Sequence, residues 1–553
     1  MATPVLSHLS VSQEHSTQQQ RRFEAILVTA LTAAALVVHG YHPYAEDGGL
    51  YIAGIKRVLN PALYPYGTEF VLGHLRFSLF APAMAALVRL SGMRLETVLL
   101  AAYLASTWVT LAAGWMLASR CFSSKRERVG AVALLAVWLP LPIAGTSLML
   151  MDPYVTARSI STPCVLLALV WVLDFLRSVQ TGEPWRWMKL TLAMVALCVA
   201  AAMHPLMAAY GFGCVLALGA TLPERRSLRF AVLLGLCCVA VIVAAVLRTV
   251  AQPESAAYHT VAMSRYYWFL SQWHWYELVG LAAPLAILAM AAWRERGRND
   301  NARFALAQMG LVTGSIATMI ATVFARVDLP THMVARLQPL RIFQQVYIVM
   351  ILFVGAALAR WLGRRRLLWA GVFGILAAIM WTAERQTFPA SAHLELPSLP
   401  GSDAPVNGWV QAFEWIKAST PVNAVFALDA DYITKEGEDA QGFRAIAERS
   451  ALPDYSKDGG EAAITPSLTG PWMAGERAQT RLSERSDTER LTALAPEGVG
   501  WIVLERDAAT AFACDYANAA VKVCRLPGVE PEGGVSVSLR SQPVSRPMRP
   551  AMR

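Results

Sequence analysis

Charge is scarce in this chain. Of its 553 residues only 16% are Asp, Glu, Lys or Arg, against 55% hydrophobic, a balance that leaves too little polar surface for a soluble protein of this length. Most of the chain must face lipid. There is no Walker-type glycine-rich loop and no dinucleotide fingerprint, which disfavours ATP-driven transport and nucleotide-dependent chemistry. No internal repeat of the kind that marks many transporters is visible. Of the eight cysteines, Cys121, Cys164, Cys198, Cys214, Cys237 and Cys238 lie in or beside apolar runs without metal-ligand spacing. They read as small core residues. The net charge of +9 does not indicate a nucleic-acid partner, because the Lys and Arg residues fall in short clusters between apolar runs, as in the cytoplasmic loops of membrane proteins.

What is present is a series of those runs. Residues 1–22 are polar, end in Arg21 and Arg22, and are expected to be a disordered cytoplasmic N-terminus; an apolar run follows at 23–38. No small-x-small cleavage site precedes Glu46 and Asp47, so the run reads as an uncleaved anchor. The apolar stretch 77–90 is about 14 residues long, short of the roughly 20 that a crossing helix needs, and reads as interfacial. Further spans are expected at 96–119, 129–147, 160–177, 188–203, 206–222, 228–248, 276–293, 304–325, 341–359 and 366–383, about 11 in all within a transmembrane domain 23–383. Each short loop on the cytoplasmic side is then basic, for example Arg120, Lys125, Arg126 and Arg128, or Arg360, Arg364, Arg365 and Arg366. The odd count puts everything after about Glu384 outside: a linker 384–405, a small α/β domain 406–527 and a flexible tail 528–553. Within the domain, an amphipathic helix is expected at 409–417 and buried strands at 425–428, 501–504 and 521–526. Cys514 and Cys524 flank a turn-like stretch there and are expected to pair in an oxidising compartment.

The outer loops hold the candidate working groups. The long first loop, 41–94, carries Glu46 and Asp47 just past the first span, where a carboxylate can bind a divalent cation or take a proton from a hydroxyl. A solvated helix cap before Gly48 and Gly49 is the plainer alternative. The second outer loop, 148–159, brings Asp152 and Arg158; the Arg suits a phosphate, or the two simply pair with each other. The loop 249–275 sets His259, Arg265 and His274 among many Tyr and Trp residues, a headgroup-level belt or a sugar-binding surface. The last outer loop places Arg336 and Arg341 outside against the charge rule, as expected if something anionic meets them. Glu46, Glu69, His259 and His332 are further candidate contacts to substrate or metal. His204 and Pro205 read as a tight outer turn.

This arrangement resembles the GT-C class of membrane glycosyltransferases. The shared features are the cytoplasmic start, the long first outer loop with an acid soon after the first span, a second acidic outer loop and a C-terminal outer domain. Asp47, in Glu-Asp-Gly-Gly-Leu-Tyr, stands where that class places its catalytic carboxylate, and Asp152 matches the second-loop acid. The Trp-Trp-Asp-type motif of asparagine-linked oligosaccharyltransferases is absent. The segment from Gly442-Phe443-Arg444 to Ser450 also looks like a recurring element of uncharacterised bacterial members. The resemblance implies an enzyme that moves a sugar from a polyprenyl-phosphate carrier to an envelope glycan, lipid or protein on the periplasmic face of the bacterial inner membrane. Asp47 and Asp152 would be catalytic or bind Mg or Mn, and Arg158, Arg265, Arg336 and Arg341 would meet the donor phosphate. A flippase for a lipid-linked saccharide and a non-catalytic assembly protein are the competing classes. The first needs polar groups at mid-membrane depth, in which the spans are poor.

Overall fold

Inside a bilayer each spanning segment must satisfy its own backbone hydrogen bonds, and apolar runs of this length do so as helices. The computed structural model describes residues 5–221, 226–295, 301–396 and 406–528. Among these, nine helices are long and apolar enough to cross a membrane, from Gln18–His39 to Arg366–Thr387. The chain is thus a multi-pass membrane protein.

Two of the expected eleven spans are shorter helices. Residues 129–147 give only Lys125–Val137, 13 residues long, and 206–222 give Pro205–Gly219, 15 residues long. Pro140 and Pro142, which have no N–H for a helix, follow the first of these. The chain from 138 to 156 then runs irregularly, with Ala144 and Ser147 at positive φ and a bridge between Pro142 and Met149. The stretch read as interfacial is the helix Phe80–Ser91, bent by 95° from the chain before it. At the other end, residues 5–22 are not disordered: they continue the first helix, Val5–His39. That sequence contains no Gly or Pro, so a helix nucleated in the apolar run propagates backwards through it.

The outer domain is built on a five-stranded mixed sheet of order β2-β1-β3-β5-β4, with β1 Val425–Ala427, β2 Ser450–Ala451, β3 Trp501–Glu505, β4 Cys514–Ala517 and β5 Val521–Arg525. β1 runs parallel to β2 and β3, whereas β5 is antiparallel to β3 and β4. The helix Gly408–Ser419 is capped by Asn407, whose side chain accepts from Trp409 N and Val410 N. It buries Trp409, Phe413 and Ile416 against Phe426 of β1 and Val523 of β5. Cys514 and Cys524 face each other across β4 and β5 and are disulfide-bonded. Replacing both by Ser is expected to cost about 2–3 kcal/mol, the loop-closure term for so short a loop. Thermal unfolding of the purified protein measures that cost, and an intact mass unchanged on reduction would rule out the bond.

The C-terminal domain sits on the loop that follows the first span. Gly49 and Gly442 touch so closely that a Cβ at 49 would lie 2.8 Å from the Gly442 Cα. Lys56 reaches Glu448 at 2.7 Å, Tyr64 donates to the Arg444 carbonyl at 2.7 Å, and Tyr66 N donates to Ser450 Oγ at 3.1 Å. The segment from Gly442 to Ser450 therefore docks the domain on the loop. The expected linker does not begin at 384: Glu384 belongs to the helix Arg366–Thr387, buried and bridging His42 at 2.9 Å and His393 at 2.7 Å. Chain beyond it is tied back beside Tyr41, which exchanges backbone bonds with His393 and Glu395. Residues 397–405 of the linker and 529–553 of the tail lie outside the described residues.

Candidate active site

Asp47 opens the helix Asp47–Leu59, where the helix dipole favours a carboxylate. Asp152 lies in the irregular chain after Pro142. Arg158 is in the first turn of Ala157–Thr181, a start fixed by the capping box of Thr156 and Ser159. These segments meet on one guanidinium: Arg158 Nη2 is 2.8 Å from Asp152 Oδ2 and 3.4 Å from Asp47 Oδ2. The outer domain adds Lys457, whose ammonium is 3.2 Å from Asp47 Oδ1 and also bonds Glu46.

The two carboxylates differ in environment. The Asp47 side chain keeps 35% of its exposure and Asp152 only 7%, so Asp47 is the one a ligand can reach. Burial alone would raise the Asp47 pKa, but Lys457, Arg158 and Arg341 outweigh it and hold the group well below the usual carboxylate range. For Asp152 burial wins over Arg158, with Asp47 adding to it, and its pKa is raised. Asp47 stays ionised at every working pH.

Both acids line a cavity of about 1140 Å³. Glu46, Arg158, Arg265, Arg336 and Arg341 share its wall, as do apolar Phe77, Met203, Leu206 and Leu337. The three loop arginines are not equivalent. Arg265 donates to the carbonyls of Tyr455 and Ser456, both at 2.8 Å, and Arg336 donates to Tyr258 Oη at 3.0 Å and Glu254 at 3.3 Å. Arg341 Nε has no hydrogen-bond partner. Arg341 is the cation left to meet an anion.

Three candidates stay away from this cavity. Glu69 pairs with Arg76 at 2.6 Å in solvent. His332 is buried against Glu254 at 2.7 Å with the His259 ring 5.0 Å away, and neither imidazole lines the wall. The aromatic loop divides: Tyr266, Tyr267 and Tyr276 face the cavity, whereas Trp275 is 77% exposed, as a membrane belt requires. His204, read as part of a turn, also lines the wall. Sequence reasoning missed Lys457 and Glu461, in a polar segment, and His74, in an apolar one, none of them within a motif.

The donor set does not fit a divalent cation. Asp47 and Asp152 share one arginine, Glu46 and Asp47 share one lysine, and among the described residues no group of three His, Cys, Asp or Glu side chains is placed to hold a metal. These carboxylates are already neutralised by protein cations.

No protein-family model matches the sequence, and no curated protein matches it. Among solved structures the chain is similar to the archaeal oligosaccharyltransferase AglB from Archaeoglobus fulgidus, in complex with an inhibitory peptide and a dolichol-phosphate. That match has 11% identity, covers 88% of this chain and 70% of that one, and has a TM-score of 0.48. The Archaeoglobus fulgidus oligosaccharyltransferase in complex with Zn and sulfate matches at 12% identity over 87% of this chain and 68% of that one, with a TM-score of 0.44. Arabinofuranosyltransferase AftD from Mycobacteria matches at 14% identity over 92% of this chain and 41% of that one, with a TM-score of 0.46.

Proposed function

We propose that the protein is a membrane glycosyltransferase that moves a sugar from a polyprenyl-phosphate carrier to a hydroxyl of an envelope glycan, lipid or protein. The reaction runs at the periplasmic face of the inner membrane. One observation carries the reading: an accessible ionised carboxylate and an uncommitted arginine share a large cavity whose wall also has an apolar part. A phosphate fits the arginine, a prenyl chain fits the apolar side, and an acceptor hydroxyl fits Asp47.

In the transfer step the bond from the sugar's anomeric carbon to the phosphate oxygen breaks and its electron pair stays with the phosphate. The acceptor oxygen bonds that carbon and its proton passes to Asp47. Arg341 offsets the charge that develops on the leaving phosphate. The same phosphate, once bound, counters the cations that depress Asp47, so the base strengthens only when donor is present. Asp152 acts through Arg158, which it holds in place behind Asp47. No step is routed through a metal.

Arg341→Ala is expected to raise the KM for the carrier about tenfold or more, with a smaller change in kcat, because a charge-assisted phosphate contact is lost in ground and transition states alike. Arg336→Ala should do less, since Arg336 is tied to Glu254 and Tyr258. Transfer of radiolabelled sugar from undecaprenyl-phosphate donors in detergent measures both. A purified wild-type protein that neither binds nor uses any such donor would end this reading.

A further inference from the structure

Two helices face each other across the cavity in register. At their first turns Asp47 meets Lys457. One turn further on, about 6 Å along each axis, Tyr51 and Glu461 line the same wall with His74 between them. The Tyr51 ring stands edge-on to the imidazole with centroids 5.0 Å apart, and Glu461 Oε1 is 3.6 Å from His74 Nδ1, beyond hydrogen-bond reach. Their side chains are 10% and 7% exposed, yet both ring nitrogens of His74 lack a partner. Gly73 makes the room, since a side chain there would overlap the Glu461 carboxyl. Two enclosed polar groups thus open onto the cavity without satisfying each other.

Their charge state defines what they suit. Burial, together with Asp458 and Asp47, pushes the Glu461 pKa up to about 8, and burial brings His74 down to about 4. Lys457 is committed to Glu46 and Asp47, and Asp458 to Arg444 at 2.8 Å. At neutral pH the pair therefore presents a protonated carboxyl and a neutral imidazole beside the rings of Tyr51 and Phe77. Such a surface offers donors and acceptors without charge, which matches hydroxyls and not a phosphate.

We propose that His74 and Glu461 form a subsite that reads the hydroxyls of the transferred sugar, on the wall of the same cavity that Arg341 lines. This rests on the carrier reading above and assigns the outer domain a part in sugar choice. The test compares binding of bare undecaprenyl phosphate with undecaprenyl phosphate carrying glucose, mannose, galactose or arabinose. Glu461→Ala and His74→Ala should each weaken the preferred glycosylated carrier about tenfold, the worth of one neutral hydrogen bond, and leave the bare carrier unchanged. Glu461→Gln, which keeps a donor, should recover most of that loss. Wild-type affinity for the glycosylated carrier should fall as pH rises through about 8, because ionised Glu461 cannot donate, and the Gln variant should lose that fall. Equal effects on both carriers, or none on either, would overturn the subsite while leaving the enzyme reading intact. A wild type that binds neither carrier would overturn both.

Discussion

Asp47→Asn is expected to insert and fold as the wild type does and to transfer sugar about 10²–10⁴-fold more slowly, the range for loss of a positioned general base. Asn keeps the shape, and its single amide oxygen can still accept from Arg158 or from Lys457, which bond different oxygens of Asp47, but it cannot take the acceptor's proton. Donor affinity should hold or improve, since the change removes a negative charge beside the phosphate site. The loss therefore belongs in kcat and not in KM, opposite to Arg341→Ala. Single-turnover transfer with saturating donor separates the two. A wild-type rate from Asp47→Asn would remove this residue from the chemistry.

Arg158→Met should be the most destabilising single change at the site. Asp152 is enclosed and its nearest cation is Arg158, 2.8 Å away; without it a carboxyl is left buried and uncompensated, at a cost of about 3–5 kcal/mol. Adding Asp152→Leu removes the orphaned group and should return most of the melting temperature, because a buried pair exchanged for apolar residues is often neutral. Activity should not return, since Asp47 has lost its positioning partner. Thermal unfolding in detergent, read beside transfer rates, checks both halves. A double variant no more stable than the single one would mean that Arg158 supports the fold by some other contact.

Much of this site was legible because chemistry and position coincided. Asp47 stood out as an acid followed by two glycines directly after a span, and the second of them, Gly49, proves to be where loop and domain touch, at Gly442. Asp152 and Arg158 pair with each other, the plainer of the two readings made of them, and both line the cavity wall. Lys457 and Glu461 were invisible for a physical reason: a charge in a polar segment carries no signal until tertiary structure encloses it, and His74 is a lone imidazole in an apolar stretch. Expected spans and observed helices differ where apolar content and helix length part company, as Pro140 and Pro142 stop a run that hydrophobicity alone would continue. The two missed strands had no pattern to find, since β2 is two residues long and β4 lies exposed at the sheet edge. The arginines of the last outer loop shared one sequence signal, their breach of the charge rule, and only their hydrogen bonds distinguish Arg341 from Arg336.

The contact between Asp47 and Lys457 joins residues 410 apart in sequence. At ordinary rates of protein synthesis roughly 20–80 s separate their appearance, and every candidate span among the described residues except the first, Gln18–His39, lies between them. The reaction chamber is therefore the last part of the molecule to be completed. A nascent or truncated chain has the first-loop acid in the membrane but not the lysine and carboxyl that close the wall over it. Chain order thus sets a condition on the proposed activity: a copy whose C-terminal domain has not docked on the first loop lacks Lys457 and Glu461 at the cavity wall.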